Sequence, residues 1–430
     1  MDVARQTALS LLETVLSKRL AFDDSFARAA EPLEPQDRGF VRQLCATTLR
    51  RLGQIDDLID GCLQKPLPPA MPAPRNILRL GVAQLLFLGT PAHAAIDTSV
   101  TLADTQPDKR VANFKGVVNA VLRRLSQEGA AKRARQDGAK LNTPKWLWDS
   151  WAKAYGGPTA RRIAEMHLRE PPLDLTLKPG EDAKAWAGRL GGKVLPTGSI
   201  RMSAGGRIEE LPGYADGVWW VQDAAAALPV RLFGDLAGST AVDLCAAPGG
   251  KTAQLASAGA AVTSVDRSAP RLKTLRANLR RLKLDAEVVT ADGAAWKPSA
   301  PVDAVLLDAP CSATGTIRRH PDVVWLKTER DVASVRPVQE ALLKNAAFML
   351  KPGGTMVYCV CSLQPEEGPQ QIAAFLKRHR DFRRQRIAPE EIGGLADLVT
   401  QEGDLRTLPL HLADEGGMDG FYAARLVRQG

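Results

Sequence analysis

The feature that most constrains this chain is a short apolar run that ends in a glycine-rich turn. Residues 241–252 read AVDLCAAPGGKT, and an alanine- and leucine-rich segment follows them. The apolar run predicts a buried strand, and the segment behind the turn predicts a helix. The two glycines allow the main chain to approach a ligand closely because neither carries a Cβ. A strand, a glycine turn and a helix in this order are typical of an open α/β sheet that presents backbone N–H groups to a ligand.

Several kinds of site compete for this turn. Its GKT end is similar to a phosphate-binding loop, but that loop needs glycine at position 245, where this chain has Cys245. The dinucleotide pattern G-x-G-x-x-G is absent as well. Asp266 and Asp292 each end a further strand-like run, and strand-end acids suit a nucleoside such as S-adenosylmethionine better than a triphosphate. The alternative is an ordinary Rossmann-like turn that binds no ligand.

Length, charge and cysteine content limit the number of domains and the kinds of partner that this chain can have. The 430 residues predict two or three domains. A formal net charge of +9 favours a polyanionic partner, although a merely basic protein is the alternative. The six cysteines form no C-x-x-C pair and only five histidines are present, so we expect no metal and no disulfide framework, which fits a reducing cytoplasm. The first residues predict an amphipathic helix and not a signal peptide, and no stretch is long enough to span a membrane.

Periodicity divides the chain into four parts. Residues 1–127 carry apolar residues at helical spacing throughout and predict an all-α bundle, which either serves as a scaffold or binds RNA. Residues 128–142 are basic and predict a linker, and residues 143–217 predict a small α/β segment. From residue 218 to 430, strand and helix patterns alternate, which indicates a mostly parallel sheet.

Two later stretches carry nucleophiles at the ends of predicted strands. Residues 305–315 read VLLDAPCSATG, and residues 356–367 read MVYCVCSLQPEE. Because the carboxyl ends of parallel strands line one crevice, we expect Cys311 and Cys361 to face the same site. A lone cysteine there is usually a small buried hydrophobe. Two cysteines beside the strand-end Asp308 indicate chemistry.

Two thiols and a carboxyl group are the groups that methylation of cytosine carbon-5 requires. Carbon-5 is a poor nucleophile until a thiolate adds to carbon-6, which makes carbon-5 resemble an enamine carbon. A carboxyl group at ring nitrogen 3 stabilises the adduct. After methyl transfer, a base must remove the carbon-5 proton so that the first thiol is eliminated. A free thiol is only a few per cent ionised at neutral pH, so the nucleophile needs a positive, partly exposed setting.

In combination, the three motifs resemble the RsmB/Sun/NOP2 family of RNA cytosine-C5 methyltransferases, and residues 116–124 (GVVNAVLRR) are similar to the NusB-like bundle of its RsmB branch. The resemblance implies three domains: a NusB-like helical RNA-binding domain, a small α/β substrate-contact segment and a Rossmann-like S-adenosylmethionine-dependent methyltransferase domain. It also implies 16S ribosomal RNA as substrate. Cys361 would be the nucleophile and Cys311 would assist elimination, while Asp308 would hold the base with Lys251 nearby. The methyl donor would be bound by Cys245, Ala246, Ala247, Pro248, Gly249, Gly250, Lys251, Asp266, Asp292 and Asp308. We expect a cytoplasmic monomer.

Two alternatives remain open at this stage. In DNA cytosine methyltransferases the cysteine of a Pro-Cys motif is the nucleophile, which here would be Cys311 and would exchange the roles of the two thiols. A non-catalytic RNA-binding or assembly protein would explain the charge and the bundle but leaves both thiols without a use. The chain departs from the family at Val360, where threonine is usual, and at Gly368, where asparagine is frequent, and Cys359 adds a thiol of unassigned role.

Overall fold

The computed structural model describes residues 2–203 and 205–430. The chain forms two compact units. The first extends to Arg169 and also takes in the later segment Ile317–Lys327, and the second holds Glu170–Thr316 and Thr328–Gly430. The first unit is helical, as the sequence predicts. Its helices before Arg169 are α1 (Val3–Leu16), α2 (Phe22–Ala29), α3 (Pro35–Arg50), α4 (Leu52–Asp60), α5 (Pro72–Leu86), α6 (Ala92–Asp104), α7 (Lys109–Ala112), α8 (Lys115–Ala134), α9 (Gly138–Leu141), α10 (Lys145–Tyr155) and α11 (Gly157–His167).

The apolar face of each long helix builds one core. In α1, Leu9, Leu12 and Val15 follow helical spacing and are buried, and Asp2 caps the helix by accepting the Arg5 backbone N–H. The buried side chains of α5 in the same core are those of Ile77, Leu78, Leu80, Val82 and Ala83. Burial of each such side chain is worth about 1.5–3 kcal/mol, which makes this shared core the main support of the bundle.

Residues 128–142 do not form the predicted linker. Helix α8 continues to Ala134 because residues 127–134 are mostly good helix formers, and Gly129 packs so closely that a Cβ there would lie 2.8 Å from Leu86. The short helix α9 follows, and Asn142 fixes its end by accepting the Gly53 backbone N–H at 3.0 Å. The boundary between the compact units lies at residues 169/170, whereas the sequence places a domain boundary at 142/143.

The second unit begins with a small antiparallel sheet. Its strand order is β2-β3-β1-β4. The fully buried pair Arg201–Asp174 joins β3 to β1 through bonds of 2.6 and 2.7 Å, so the two charges compensate each other inside the sheet. These strands are β1 (Leu173–Leu177), β2 (Lys193–Val194), β3 (Ile200–Met202) and β4 (Trp219–Val221).

The large sheet has eight strands in the order β10-β12-β9-β8-β5-β6-β7, with β11 paired to β12. Strands β5 to β9 are parallel, which confirms the predicted mostly parallel sheet, and β12 joins antiparallel. The strands are β5 (Thr240–Leu244), β6 (Ala261–Asp266), β7 (Glu287–Thr290), β8 (Val302–Asp308), β9 (Leu350–Val360), β10 (Phe382–Arg384), β11 (Leu405–Thr407) and β12 (Phe421–Arg428). The helices after Arg169 are α12 (Ala183–Leu190), α13 (Ala224–Arg231), α14 (Gly250–Ser257), α15 (Ala269–Leu282), α16 (Val323–Leu326), α17 (Glu329–Met349) and α18 (Pro369–Arg378); among them, α16 belongs to the helical unit.

The parallel register brings the sequence motifs to one edge of the large sheet. Leu244 pairs with Leu307 on β8 and with Val265 on β6, and Asp308 pairs with Cys359 on β9. The carboxyl ends of β5, β6, β8 and β9 therefore lie side by side, as expected for a ligand crevice. Within the described residues, no helix is long and apolar enough to cross a membrane.

Candidate active site

The glycine turn joins β5 to α14 through backbone conformations that suit a close approach. Cys245 has a φ of 62° and Gly249 a φ of 102°, both in the left-handed region. A Cβ on Gly249 would lie 2.8 Å from Cγ of Leu275, so only glycine fits at that position. The turn thus exposes main-chain groups at the N-terminus of α14, which begins at Gly250.

Two acids stand at the neighbouring strand ends, where the sequence places them. The Asp266 carboxylate accepts the Ala247 N–H at 3.1 Å and the Ser268 N–H at 2.8 Å, which ties the glycine turn to the end of β6. Asp292 follows β7 and accepts the Ala294 N–H at 3.0 Å. A carboxylate offers about four acceptor positions, so both acids keep capacity for a ligand.

Asp243 is a further buried acid that the sequence reading did not single out as a site residue. It lies inside β5, and its Oδ2 accepts the Thr252 hydroxyl at 2.6 Å. Its Oδ1 has no hydrogen-bond partner among the described residues. Burial, together with the charge of the neighbouring Asp308, raises the pKa of Asp243 to about 7. An acid in the middle of an apolar strand is the signal that could have identified it.

Lys251 and Asp308 form an ion pair between α14 and the end of β8. The distance from Lys251 Nζ to Asp308 Oδ2 is 2.7 Å, and Nζ lies 4.9 Å from the ring centre of Phe421. Burial lowers the pKa of Lys251, but the Asp308 carboxylate and the thiols of Cys359 and Cys361 outweigh it and hold that pKa above its ordinary value. The site therefore contains a permanent cation beside its thiols.

The structure brings Cys311 and Cys361 together. Their sulfurs are 3.4 Å apart, and both side chains are partly exposed. The hydrogen bond with Cys361 and burial raise the pKa of Cys311 well above its ordinary value. Cys359 is fully buried, and its sulfur lies 3.5 Å from Oδ1 of Asp308; burial and the Asp308 charge raise its pKa. Cys359 therefore serves as a neutral neighbour of Asp308.

Gly315 controls the fit between the two cysteine-bearing turns, a role the sequence reading missed. Its backbone N–H donates to the Cys361 carbonyl at 3.0 Å, and its carbonyl accepts the Gly420 N–H at 2.8 Å. A Cβ at Gly315 would lie 1.8 Å from the Gly420 oxygen, which no side chain can tolerate. The requirement depends on a segment about a hundred residues away, so no local signal reveals it.

These features fit a nucleoside-type methyl donor. The glycine turn leaves room for a ligand against the main chain, acids follow two neighbouring strands, and the unpaired buried Oδ1 of Asp243 lies in the same region. A parallel sheet with this donor site and with paired thiols at its carboxyl edge defines a Rossmann-like methyltransferase domain.

Comparisons with known proteins agree with that class and narrow it. The family model described as 16S rRNA methyltransferase RsmB/F matches residues 235–427, and the NusB family model matches residues 2–127. The ribosomal RNA small subunit methyltransferase B of Erwinia tasmaniensis is 34% identical and covers 100% of this chain and 99% of its own. The protein of the same name from Serratia proteamaculans is 33% identical over 99% of this chain and 98% of its own. The chain therefore belongs to the RsmB/F family of S-adenosylmethionine-dependent 16S rRNA methyltransferases.

Solved structures support the fold. The crystal structure of PH0851 superposes with a TM-score of 0.77 at 21% identity and covers 99% of this chain and 98% of its own. NSun6 from Pyrococcus horikoshii has a TM-score of 0.56 at 19% identity and covers 67% of this chain and 98% of its own. At this identity the likeness establishes the architecture alone.

Proposed function

We propose that this chain methylates carbon-5 of a cytosine in 16S ribosomal RNA through a covalent adduct between the Cys361 sulfur and carbon-6 of the base. The observation that carries the proposal is the pair of sulfurs, 3.4 Å apart, at the strand edge that also holds the Lys251–Asp308 ion pair. One nucleophile, one carboxyl group and a second thiol are the groups that this reaction needs.

Cys361 acts as the nucleophile in this proposal. It is partly exposed, and it is one of the groups that raise the pKa of Lys251, so the lysine cation and a Cys361 thiolate attract each other. The raised pKa of Cys311 holds it as a thiol and disfavours its attack on carbon-6. Cys311 is left in contact with the Cys361 sulfur that must later leave, where a group assisting elimination is needed.

Asp308 holds the cytosine edge at ring nitrogen 3, and Lys251 fixes the orientation of that carboxyl group through their 2.7 Å bond. When bound, S-adenosylmethionine supplies an electrophilic methyl group, and residues 245–251 with Asp266, Asp292 and Asp308 would hold it. A cytosine can enter the crevice only from a loop or after extrusion from its stack. The net charge of +9 supports a ribosomal RNA partner, on which we expect a cytoplasmic monomer to act.

Three cysteine variants test the assignment. Cys361→Ala should abolish both methylation and the covalent RNA adduct, whereas Cys311→Ala should let the adduct accumulate because elimination is impaired. Cys62→Ala, in the helical unit, is the matched control and should behave as wild type. Adducts are resolved on a denaturing gel, and methylated cytosines are mapped by bisulfite sequencing of 16S RNA.

The outcomes separate the alternatives. Accumulation of the adduct in Cys361→Ala and its loss in Cys311→Ala would exchange the roles of the two thiols. Wild-type methylation by Cys361→Ala would refute the proposed covalent route. An absence of methyl transfer by the wild-type chain on 16S RNA would favour a non-catalytic RNA-binding protein.

A further inference from the structure

A single buried carboxyl group connects the two turns that carry the thiols. Glu367 lies eight residues after Cys359, the strand partner of Asp308 on β9, and its side chain is fully buried. Its Oε2 accepts the backbone N–H of Ser312 at 2.8 Å and the Gln339 side-chain amide at 3.1 Å. Its Oε1 accepts the hydroxyl groups of Ser312 and Ser362, the latter at 2.7 Å.

Three of these four donors belong to the residues that directly follow the two thiols, and the fourth is the Gln339 amide of α17. Ser312 directly follows Cys311, and Ser362 directly follows Cys361. Four donors on two oxygens match the acceptor capacity of an ionised carboxylate, so each lone-pair position is used. Burying a carboxylate with fewer hydrogen-bond partners would cost free energy. The four bonds therefore favour the one relative position of the two turns in which all of them form.

Additional hydrogen bonds make the connection rigid. The Ser312 and Ser362 hydroxyls lie 3.1 Å apart, and the Ser362 hydroxyl accepts the Gln364 N–H at 3.1 Å. The Tyr358 hydroxyl donates to the Glu367 carbonyl at 2.6 Å, which ties Glu367 back to β9. A fully satisfied buried network of this kind restrains its members to one geometry.

We infer that Glu367 is a positioning residue that holds the Cys311 and Cys361 turns in register and keeps their sulfurs in contact. The inference rests on the proposed function, because it assigns Glu367 a part in the reaction of those two thiols. Glu367 touches neither sulfur and acts through Ser312 and Ser362.

The charge of Glu367 adds an electrostatic consequence. Together with the hydrogen bond to Cys361 and burial, the Glu367 carboxylate raises the pKa of Cys311. Glu367 therefore disfavours a thiolate at Cys311 and helps to reserve the nucleophile's role for Cys361. Removing the charge while keeping the shape should lower the pKa of Cys311.

Glu367→Gln is the main test, because glutamine has the same shape but presents an NH₂ group where the network supplies only donors. We expect kcat to fall by about 100-fold, the loss typical of a misplacement near 1 Å, with KM for RNA nearly unchanged. Alkylation of Cys311 by iodoacetamide, followed by mass spectrometry across a pH series, should shift to lower pH. Glu340→Gln, an exposed glutamate of α17, is the matched control and should leave both measurements unchanged.

Ser362→Ala keeps the inference testable if Glu367→Gln fails to fold. The substitution removes one hydrogen-bond donor from the Cys361 turn, and we expect kcat to fall less than it does in Glu367→Gln. In the double variant, kcat should equal that of Glu367→Gln alone. A wild-type kcat and an unshifted Cys311 alkylation profile in a folded Glu367→Gln, or a wild-type kcat in Ser362→Ala, would overturn the inference. Loss of the Cys361 assignment would instead appear as methylation by Cys361→Ala, so the two failures are distinguishable.

Discussion

Replacing His167 with glutamine should remove part of the pH dependence of stability. His167 ends α11 in the helical unit, where it is 6% exposed and packs edge-on against Trp151 with ring centres 5.3 Å apart. Burial, together with the positive charge of Arg318 in the same unit, lowers the pKa of His167 to about 3. The folded unit therefore holds a neutral imidazole over the whole mildly acidic range.

The sign and size follow from proton uptake. In the unfolded chain His167 titrates near its ordinary pKa of about 6.5, so between about pH 3 and 6.5 the unfolded state binds more protons than the folded state. The contribution of neutral His167 to the free energy of unfolding is therefore fully present above this pH range and is lost as the pH falls toward 3. Each pH unit below 6.5 costs about 1.4 kcal/mol, so lowering the pH from about 7.5 to about 5.5 should remove about 1.3 kcal/mol.

Urea unfolding at these two pH values measures the effect. The free energy of unfolding should decrease between them by about 1.3 kcal/mol more in the wild type than in His167→Gln. The other histidines and the carboxylates are present in both proteins, so their contributions to the pH dependence cancel in this difference. A loss of stability caused by the substitution itself also cancels if it is the same at both pH values. An equal pH dependence in the two proteins would show that His167 is protonated in the folded state and would refute the reasoning.

Two further predictions concern the active site. Gly315→Ala should reduce the rate of methyl transfer by about 100-fold because its Cβ would meet the Gly420 oxygen at 1.8 Å and displace the Cys361 turn; a wild-type rate in a single-turnover assay would contradict this. Asp308→Asn should abolish methylation and lower the free energy of unfolding by about 1–3 kcal/mol, because the buried Lys251 cation loses its partner; unchanged urea unfolding would show that the ion pair contributes nothing to stability.

Local patterns were sufficient to predict most elements of the fold and the meeting of the motifs. The run before Cys245 forms β5, and the runs before Asp308 and Cys361 form the ends of β8 and β9. Parallel strands place their carboxyl ends at one edge, so the encounter of Cys311 with Cys361 was predicted from the position of each cysteine behind a strand end. The extent of α8 was missed because glycine and a basic run were taken as signs of a linker, although residues 127–134 favour a helix.

Long-range packing could not be predicted in the same way. Residues 317–327 follow the Cys311 motif directly in sequence, yet they belong to the helical unit. There the Trp325 indole donates to the Leu49 carbonyl at 2.7 Å, and Asp322 accepts the Phe22 N–H at 2.9 Å. Both bonds join residues more than 270 positions apart, so neither leaves a periodic signal near the motif. The four-donor environment of Glu367 was missed for the same reason.

The alternation of side chains along β9 bears on the unusual Val360. Cys359 and the partly buried Cys361 pack in one apolar cluster of the large sheet, whereas Val360 packs with Tyr358 in the cluster on the opposite face. A hydroxyl group at position 360 would therefore point away from the face that carries Cys359 and the nucleophile. Threonine at this position would place a polar atom in a fully buried apolar environment, where it needs a partner of its own. Valine instead fills that space without such a requirement, so the departure from the family pattern changes the packing of the cluster against which Cys311 also lies.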